Sequence, residues 1–339
     1  MKKILVTGGT GYIGSHTVVE LINNNYDVVI VDDYSNSNAE VLNRIEMITG
    51  KRPKFYNMNI SNRVILEEVF KQYEFDAVIH FAGYKAVGES VEKPLRYYQN
   101  NLVGTLVLCE LMEIYGVYRL IFSSSATVYG GENNSPINEN AELCPTNPYG
   151  QTKLMIESII NDICLSNKNW SALSLRYFNP IGAHTSGLIG EAPNGIPNNL
   201  MPYISQVAMG IHPEVLVYGD DYKTKDGTGV RDYIHVMDLA DGHIKALEYV
   251  LVNKGVDVIN IGTGKGYSVL DLIKSFSKSN GINIPYKIVG RRSGDVDICY
   301  ADVSKSKDVL NWVTKRTLDN MCCDTWKWQC MNPNGYEGD

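Results

Sequence analysis

In the stretch "NPYGQTK", residues 147–153, a phenol stands four residues ahead of an ammonium and directly behind a proline. Proline is tolerated at the first position of a helix, so Tyr149 is expected to open one, and residues four apart on a helix share a face. Lys153 would then lie beside Tyr149, favour the phenolate and draw its pKa down from a free value of about 10. Such a phenol is a base able to take a proton from a hydroxyl near neutral pH. An exposed tyrosine and lysine pair on a helix surface has the same spacing, so the neighbourhood must decide between them. "FSSSATVYG" places Ser125 24 residues before Tyr149. Its hydroxyl can share a substrate oxygen with the phenol, or it can bond the local backbone.

A second constellation opens the chain. "ILVTGGTGYIGSH" carries Gly8, Gly11 and Gly14 immediately after an apolar run and at the start of a helical pattern, and Asp32 follows 18 residues after Gly14. Glycines let a backbone approach a pyrophosphate, and a helix N-terminus offers unpaired N–H groups and the positive end of its dipole. Asp32 ends "DVVIVD", where a carboxylate accepts hydrogen bonds from ribose hydroxyls and repels a 2'-phosphate. NAD is therefore expected in preference to NADP. "FAGYKAVGES" follows another apolar run, so Phe81, Ala82 and Gly83 are expected to bring backbone close to the cofactor, with Lys85 facing phosphate or substrate.

These groups need a scaffold that gathers them at one edge. Apolar runs rich in valine and isoleucine ("KKILV", "DVVIV", "DAVIHF", "RLIFSSS", "SALSLRYF") alternate with helical patterns at about 14–24, 38–49, 61–73, 93–116 and 149–167. That alternation predicts a doubly wound α/β fold with a parallel sheet, whose ligands bind at the carboxyl ends of the strands. Beyond about residue 176, long loops and a late strand, "VDVINIG", predict a smaller, partly discontinuous C-terminal substrate domain. The expected division is 1–176 plus 232–262 for the NAD-binding domain and 177–231 plus 263–339 for the substrate domain. A length of 339 residues accommodates both.

The net charge of -7, with no basic block, argues against nucleic acid or an anionic membrane as partner. No apolar run reaches the roughly 18 to 20 residues of a membrane span, and "MKKILVTGG" enters a strand, so a cytoplasmic location is expected. Seven cysteines without a C-x-x-C pair and six scattered histidines indicate neither a disulfide framework nor a metal site.

The glycine turn, "SSSATVYG" and the Tyr149 and Lys153 pair resemble the extended short-chain dehydrogenase/reductase superfamily, with its Rossmann-type sheet. "HFAGYKAVGESVEKP", "RYFNPIGAH", "GIPNNLMPYI" and "DGTGVRDYIHVMDLADGH" are similar to the UDP-glucose 4-epimerase family, and the likeness runs from residue 2 to about 336. It implies an enzyme that holds one NAD and interconverts UDP-galactose with UDP-glucose. Tyr149 would be the base, Lys153 would tune it and hold the nicotinamide ribose, and Ser125 would assist at the sugar oxygen. The cofactor set implied is Gly8, Gly11, Tyr12, Ile13, Gly14, Asp32, Asp33, Tyr34, Asn36, Ser37, Asn59, Ile60, Phe81, Ala82, Gly83, Lys85, Asn100 and Tyr177, with the three catalytic residues. For the UDP-hexose it is Lys85, Phe178, Asn179, Asn199, Leu200, Leu216, Tyr218, Arg231, Tyr233, Arg292, Asp295 and Cys299, with Ser125 and Tyr149. The family's dimers imply a homodimer built on the helices at 93–116 and 149–167.

The chemistry read from the residues agrees with this: a base removes the hydroxyl proton while a nicotinamide accepts the hydride from the same carbon. Inversion then requires a 4-keto sugar to turn while its diphosphate stays anchored, a task suited to Arg231 and Arg292 unless these are ordinary surface charges. A nucleotide-sugar 4,6-dehydratase would need a further acid and base. The resembling dehydratases carry an Asp-Glu pair where this chain has Ala126 and Thr127. A simple reductase and an NAD-binding protein without turnover are the other rivals. Two departures stand out. Asn59 replaces the usual aspartate, and Cys299 replaces a tyrosine that fills the sugar pocket in some members. The smaller thiol predicts use of UDP-GlcNAc and UDP-GalNAc as well, unless it merely packs against a loop.

Overall fold

Seven strands pair into a parallel sheet: β1 (Lys3–Thr7), β2 (Asp27–Asp32), β3 (Lys54–Asn57), β4 (Ala77–His80), β5 (Arg119–Ser125), β6 (Ser171–Tyr177) and the late strand Gly255–Ile261; β3, a half-exposed edge strand, is not among the apolar runs of the sequence. The structure, a computed structural model, describes residues 1–339 except 132, 194, 196, 198, 293, 294, 338 and 339. The strand order places β1 beside β4, with β2 and β3 on one side and β5, β6 and Gly255–Ile261 on the other. The winding thus reverses between β1 and β4, and ligands of such sheets bind outside the carboxyl ends at that point.

Successive side chains of a strand point to opposite faces. Leu5, Val29, Val31, Val78 and Leu120 share one core with α3 (Arg63–Gln72) and two later helices. Ile4, Val6, Ile30 and Ile79 are equally buried on the other face, where α1 (Tyr12–Asn23) and α2 (Glu40–Thr49) belong. Burial on both faces explains why these strands read as continuous apolar runs.

The helix expected over 93–116 forms as one run from Pro94 to Ile114, with a π-helical turn inside it and a separate short helix before it. The chain forms α4 (Val87–Glu92), α5 (Pro94–Tyr97), a π-helical turn (Tyr98–Val103) and α6 (Gly104–Ile114). Pro94 cannot donate into a continuing helix, and Lys93 departs from helical dihedrals before it. The π turn is a feature that apolar periodicity does not reveal. α7 (Pro148–Ser166) begins where expected, with Asn147 Oδ1 accepting from Gly150 N at 2.9 Å.

The chain divides into two compact units: Met1–Gly130, Glu142–Tyr177 and Ala240–Ile259 form the first, and Gly131–Ala141, Phe178–Leu239 and Asn260–Asp339 the second. The second contains β7 (Asn179–Ile181), α8 (Leu200–Ala208), β8 (Val215–Tyr218), β9 (Val230–Arg231) and β10 (Tyr233–His235). α9 (Val236–Val252) leads back to the sheet strand, β11 (Gly255–Ile261), and β12 (Tyr267–Ser268), α10 (Val269–Asn280), β13 (Tyr286–Val289), β14 (Ile298–Cys299), α11 (Ser304–Leu310) and α12 (Leu318–Met331) follow. α8, α10 and α12 share an apolar core in this unit. In the "MCCDTWKWQC" segment Trp326 packs edge-on to Phe276, and the buried Trp328 donates to Glu191 O, so both serve packing. Among the described residues no helix is long and apolar enough to cross a membrane, and none of the His, Cys, Asp and Glu clusters has metal-site form.

Candidate active site

The glycine turn is a cradle that only glycine fits. Gly8 has φ +70°, and a Cβ there would lie 2.7 Å from Ala82 N; one on Gly14 would lie 2.2 Å from Gly8 O. The turn after β1 and the loop after β4 therefore touch backbone to backbone, and α1 starts at Gly11 with no side-chain cap. Uncapped N–H groups at a helix start beside close-packed glycines suit a pyrophosphate. At the end of β2 the buried Asp32 carboxylate accepts from Thr10 N (3.1 Å), Tyr34 N (2.9 Å) and Ser37 Oγ (3.2 Å). These leave one lone pair, on Oδ2, for a ribose hydroxyl. Asn59 donates to Asp33 Oδ2 at 2.8 Å, a bond that an aspartate at this position could make only when protonated. Tyr34 stacks on Phe55, Asn36 and Lys85 are exposed, and Ile60 is buried.

β5, α7 and the short turn Ala126–Tyr129 bring Ser125, Tyr149 and Lys153 together. A Cβ on Gly150 would lie 2.9 Å from Thr127 O, so this glycine lets the start of α7 press on that turn and sets Tyr149 beside Ser125. Ser125 Oγ accepts from Thr127 N at 3.2 Å and from Thr127 Oγ1 at 3.0 Å. With two acceptor positions filled, its own O–H is left to donate, and it bonds the Tyr149 phenol.

The phenol's electrostatics differ from the sequence expectation. Burial raises the Tyr149 pKa, opposed by the Ser125 bond. Lys153 Nζ lies 5.8 Å from the Tyr149 ring centroid, 4.8 Å over the Phe122 ring, and donates to Ser123 O at 2.6 Å. Burial pulls the ammonium down to about 8, opposed by the Glu157 carboxylate. Desolvation thus drives the two groups apart in proton affinity, the phenol above its ordinary value and the ammonium below its own.

Two buried networks behind this triad lie outside the sequence expectations. Glu157, one helical turn beyond Lys153, receives Arg176 Nε (3.0 Å) and Nη2 (2.7 Å) and Ser124 Oγ, while Arg176 Nη1 reaches Tyr129 OH at 2.9 Å. The other network starts at the cradle. Thr105 Oγ1 donates to Asn101 O (2.7 Å), so it must accept from His80 Nε2–H (2.9 Å); His80 Nδ1 is then the acceptor for Thr7 Oγ1–H (2.7 Å). Asn101, on the π turn, carries the chain onward to Thr152 Oγ1 (3.1 Å), which donates to Tyr149 O (2.7 Å). Asn101 Oδ1 also accepts from Tyr84 N and from the expected cofactor residue Asn100. Burial pushes the His80 pKa down to about 3, with Lys153 adding to the effect, which keeps this single tautomer. Helical spacing alone marks Glu157, four residues after Lys153; no local pattern marks His80, Asn101 or Arg176. Tyr177 OH bonds His243, whose ring packs against Phe81.

In the second unit, five of the expected substrate residues, Tyr218, Arg231, Arg292, Asp295 and Cys299, fall into one cluster. Arg231 on β9 lies 3.6 Å from Asp295 Oδ1, and Arg292 Nε lies 3.2 Å from Asp295 Oδ2, with the Arg292 guanidinium 4.5 Å over the Tyr218 ring. Cys299 on β14 is the parallel register partner of Arg231, and burial raises its thiol pKa. Tyr233 on β10 pairs with Asn179 on β7, and burial pushes its phenol up to about 12. Asp232 behind Arg231 accepts from Thr263, Gly264 and Ala301, fixing β9 and the end of β14. Leu216 lies on β8, Phe178 is buried before β7, and Leu200 opens α8, where Asn199 donates to Glu191 at 2.6 Å.

A family model described as GDP-mannose 4,6 dehydratase matches residues 5–325. A UDP-glucose 4-epimerase of Bacillus subtilis (strain 168) is 59% identical over 334 residues, covering 98% of both chains. Among solved structures, a UDP-glucose-4-epimerase from Stenotrophomonas maltophila with bound NAD and formylated UDP-arabinopyranose superposes with a TM-score of 0.97 at 48% identity, over 98% of this chain and 99% of that one. One from Bifidobacterium longum in complex with NAD+ and UDP gives 0.95 at 52% identity, over 98% and 100%.

Proposed function

The chain belongs to the UDP-glucose 4-epimerase family, and from that membership we propose that it interconverts UDP-galactose and UDP-glucose with a resident NAD. The glycine cradle and the Asp32 carboxylate fit that cofactor. NAD, when bound, supplies the acceptor for the hydrogen on the sugar C4 and, once reduced, its donor.

The observation that carries the reading is the Ser125, Tyr149 and Lys153 constellation, with Ser125 confined to the donor role. Tyr149 takes the proton of the C4 hydroxyl as that oxygen becomes a carbonyl, and Ser125 O–H bonds the same oxygen. Lys153, anchored on Ser123 O, keeps a positive charge near the phenolate. Arg231 and Arg292 hold the diphosphate while the flat 4-keto sugar turns its other face, and Tyr149 then returns the proton. The turn Ala126–Tyr129 carries no carboxylate, which disfavours the elimination a dehydratase performs despite the matching family description. To test this, purified protein without added cofactor is given UDP-galactose and followed by NMR. UDP-glucose should form; failure to form it even with NAD added would refute the epimerase reading.

Cys299 beside Arg231 supports turnover of UDP-GlcNAc and UDP-GalNAc as well, since a thiol leaves room that a phenol would fill. A homodimer is supported by exposed apolar side chains on one group of helices: Val91 on α4, Leu95 on α5, Leu106 and Ile114 on α6, and Leu165 on α7. Seven cysteines without a disulfide support a cytoplasmic setting.

A further inference from the structure

Tyr222 belongs to none of the residue sets implied by the sequence, yet its hydroxyl, like Trp312 Nε1, is a buried polar group of the second unit that lacks a partner among the described residues. The side chain is only 5% exposed, and the hydroxyl has no hydrogen-bond partner among the described residues. A buried phenol usually finds one. The ring is fixed in place. Tyr222 N donates to Gly227 O at 3.0 Å, closing the loop, and the ring lies so close to Gly219 that a Cβ there would stand 2.6 Å from Tyr222 Cε2. The Arg291 guanidinium covers the ring at 4.0 Å while it is itself occupied by Asp221.

Gly219, against which the ring packs, adjoins Tyr218, and Arg291, which covers the ring, adjoins Arg292, so Tyr222 neighbours the cluster of Arg231, Arg292 and Asp295 described above. Arg231 spends Nη1 on the carbonyls of Val230 and Val296 and approaches Asp295 with Nη2 at only 3.6 Å. Two guanidinium groups facing one carboxylate leave an excess of positive charge, and an uncommitted O–H beside it is a donor waiting for an anionic acceptor. Burial raises the phenol's pKa, so the donor stays protonated at neutral pH.

We propose that the Tyr222 hydroxyl is a further substrate contact, donating a hydrogen bond to an anionic oxygen of the diphosphate of the bound nucleotide sugar. This rests on the UDP-sugar reading above. A charge-assisted O–H bond of this kind favours a diphosphate over an uncharged nucleoside.

The test compares the full-length protein with Tyr222→Phe, which retains the ring against Gly219 and Arg291. Calorimetric titration with UDP should show affinity falling by about tenfold, with KM for UDP-galactose rising similarly and kcat little changed. Affinity for uridine should be unchanged. The ligand-free variant should melt no lower than the parent, because the substitution removes an unsatisfied buried hydroxyl. UDP affinity within twofold of the parent would overturn the proposal, as would an equal loss for UDP and uridine, which would move the contact to the nucleoside. A parent protein that binds no UDP at all would instead bring down the UDP-sugar reading.

Discussion

Lys153→Met should make the protein an inactive but, at neutral pH, more stable molecule, and the size of the effect follows from the burial of the ammonium. The Lys153 pKa falls from 10.5 to about 8 on folding, with desolvation as the main cause. At about 1.4 kcal/mol per unit, holding that charge costs the folded state about 3 kcal/mol at pH 7. Methionine fills a similar volume without charge but leaves Ser123 O without its 2.6 Å donor, a loss of about 1–3 kcal/mol. The net gain at pH 7 is therefore about 1 kcal/mol. Its pH dependence is the sharper quantity. Between pH 8 and 10.5 the unfolded wild type still holds the lysine proton that the folded protein has released, so wild-type stability rises with pH relative to the variant. The difference between the two should shift by about 3 kcal/mol across that window in favour of wild type. Urea unfolding of both nucleotide-free proteins at several pH values from 7 to 10.5 measures it, other groups titrating alike in both. Epimerase turnover should fall by at least about 10²-fold, since the charge near the Tyr149 base is gone. A stability difference that stays flat with pH, or one that grows in favour of methionine as pH rises, would refute the reasoning.

Gly14→Ala would push a Cβ to 2.2 Å from Gly8 O, a backbone atom with nowhere to move, so the variant should lose about 1–3 kcal/mol and most of its co-purifying nucleotide, read from the absorbance ratio at 260 and 280 nm. Leu95→Glu places a charge on the most exposed apolar side chain of α5, at 76% exposure, and light scattering should then report half the parent's mass. Cys299→Tyr should abolish turnover of UDP-GalNAc by more than about tenfold while UDP-galactose turnover stays within a few-fold, measured by NMR on both substrates. Equal loss on both sugars would point instead to disturbance of Arg231, its register partner.

The alternation of apolar runs and helical patterns was enough to derive a parallel sheet, because strands buried on both faces must be continuously apolar and their crossovers must be helices, whereas the half-exposed edge strand β3 carries no such run and escaped it. The glycine cradle was legible for a similar reason: Gly8 and Gly14 stand where backbone meets backbone, a constraint that admits one residue type. The start of α7 at Pro148 followed from proline's fixed φ and its missing donor. What the sequence could not express was the partnership of residues far apart along the chain. Asn101 on the π turn at Tyr98–Val103 is bound to Tyr84 and Thr152, and no periodicity encodes a bond across 51 positions. The tautomer of His80 is set by what Thr105 and Thr7 can still donate or accept once folded. Likewise the phenol's proton affinity, expected from spacing to fall through Lys153, is governed by burial, since the ammonium turns to Ser123 O. Composition and spacing determine which groups are available. Their desolvation and the inventory of remaining hydrogen-bond partners, which set how those groups behave, come into being only with the tertiary structure.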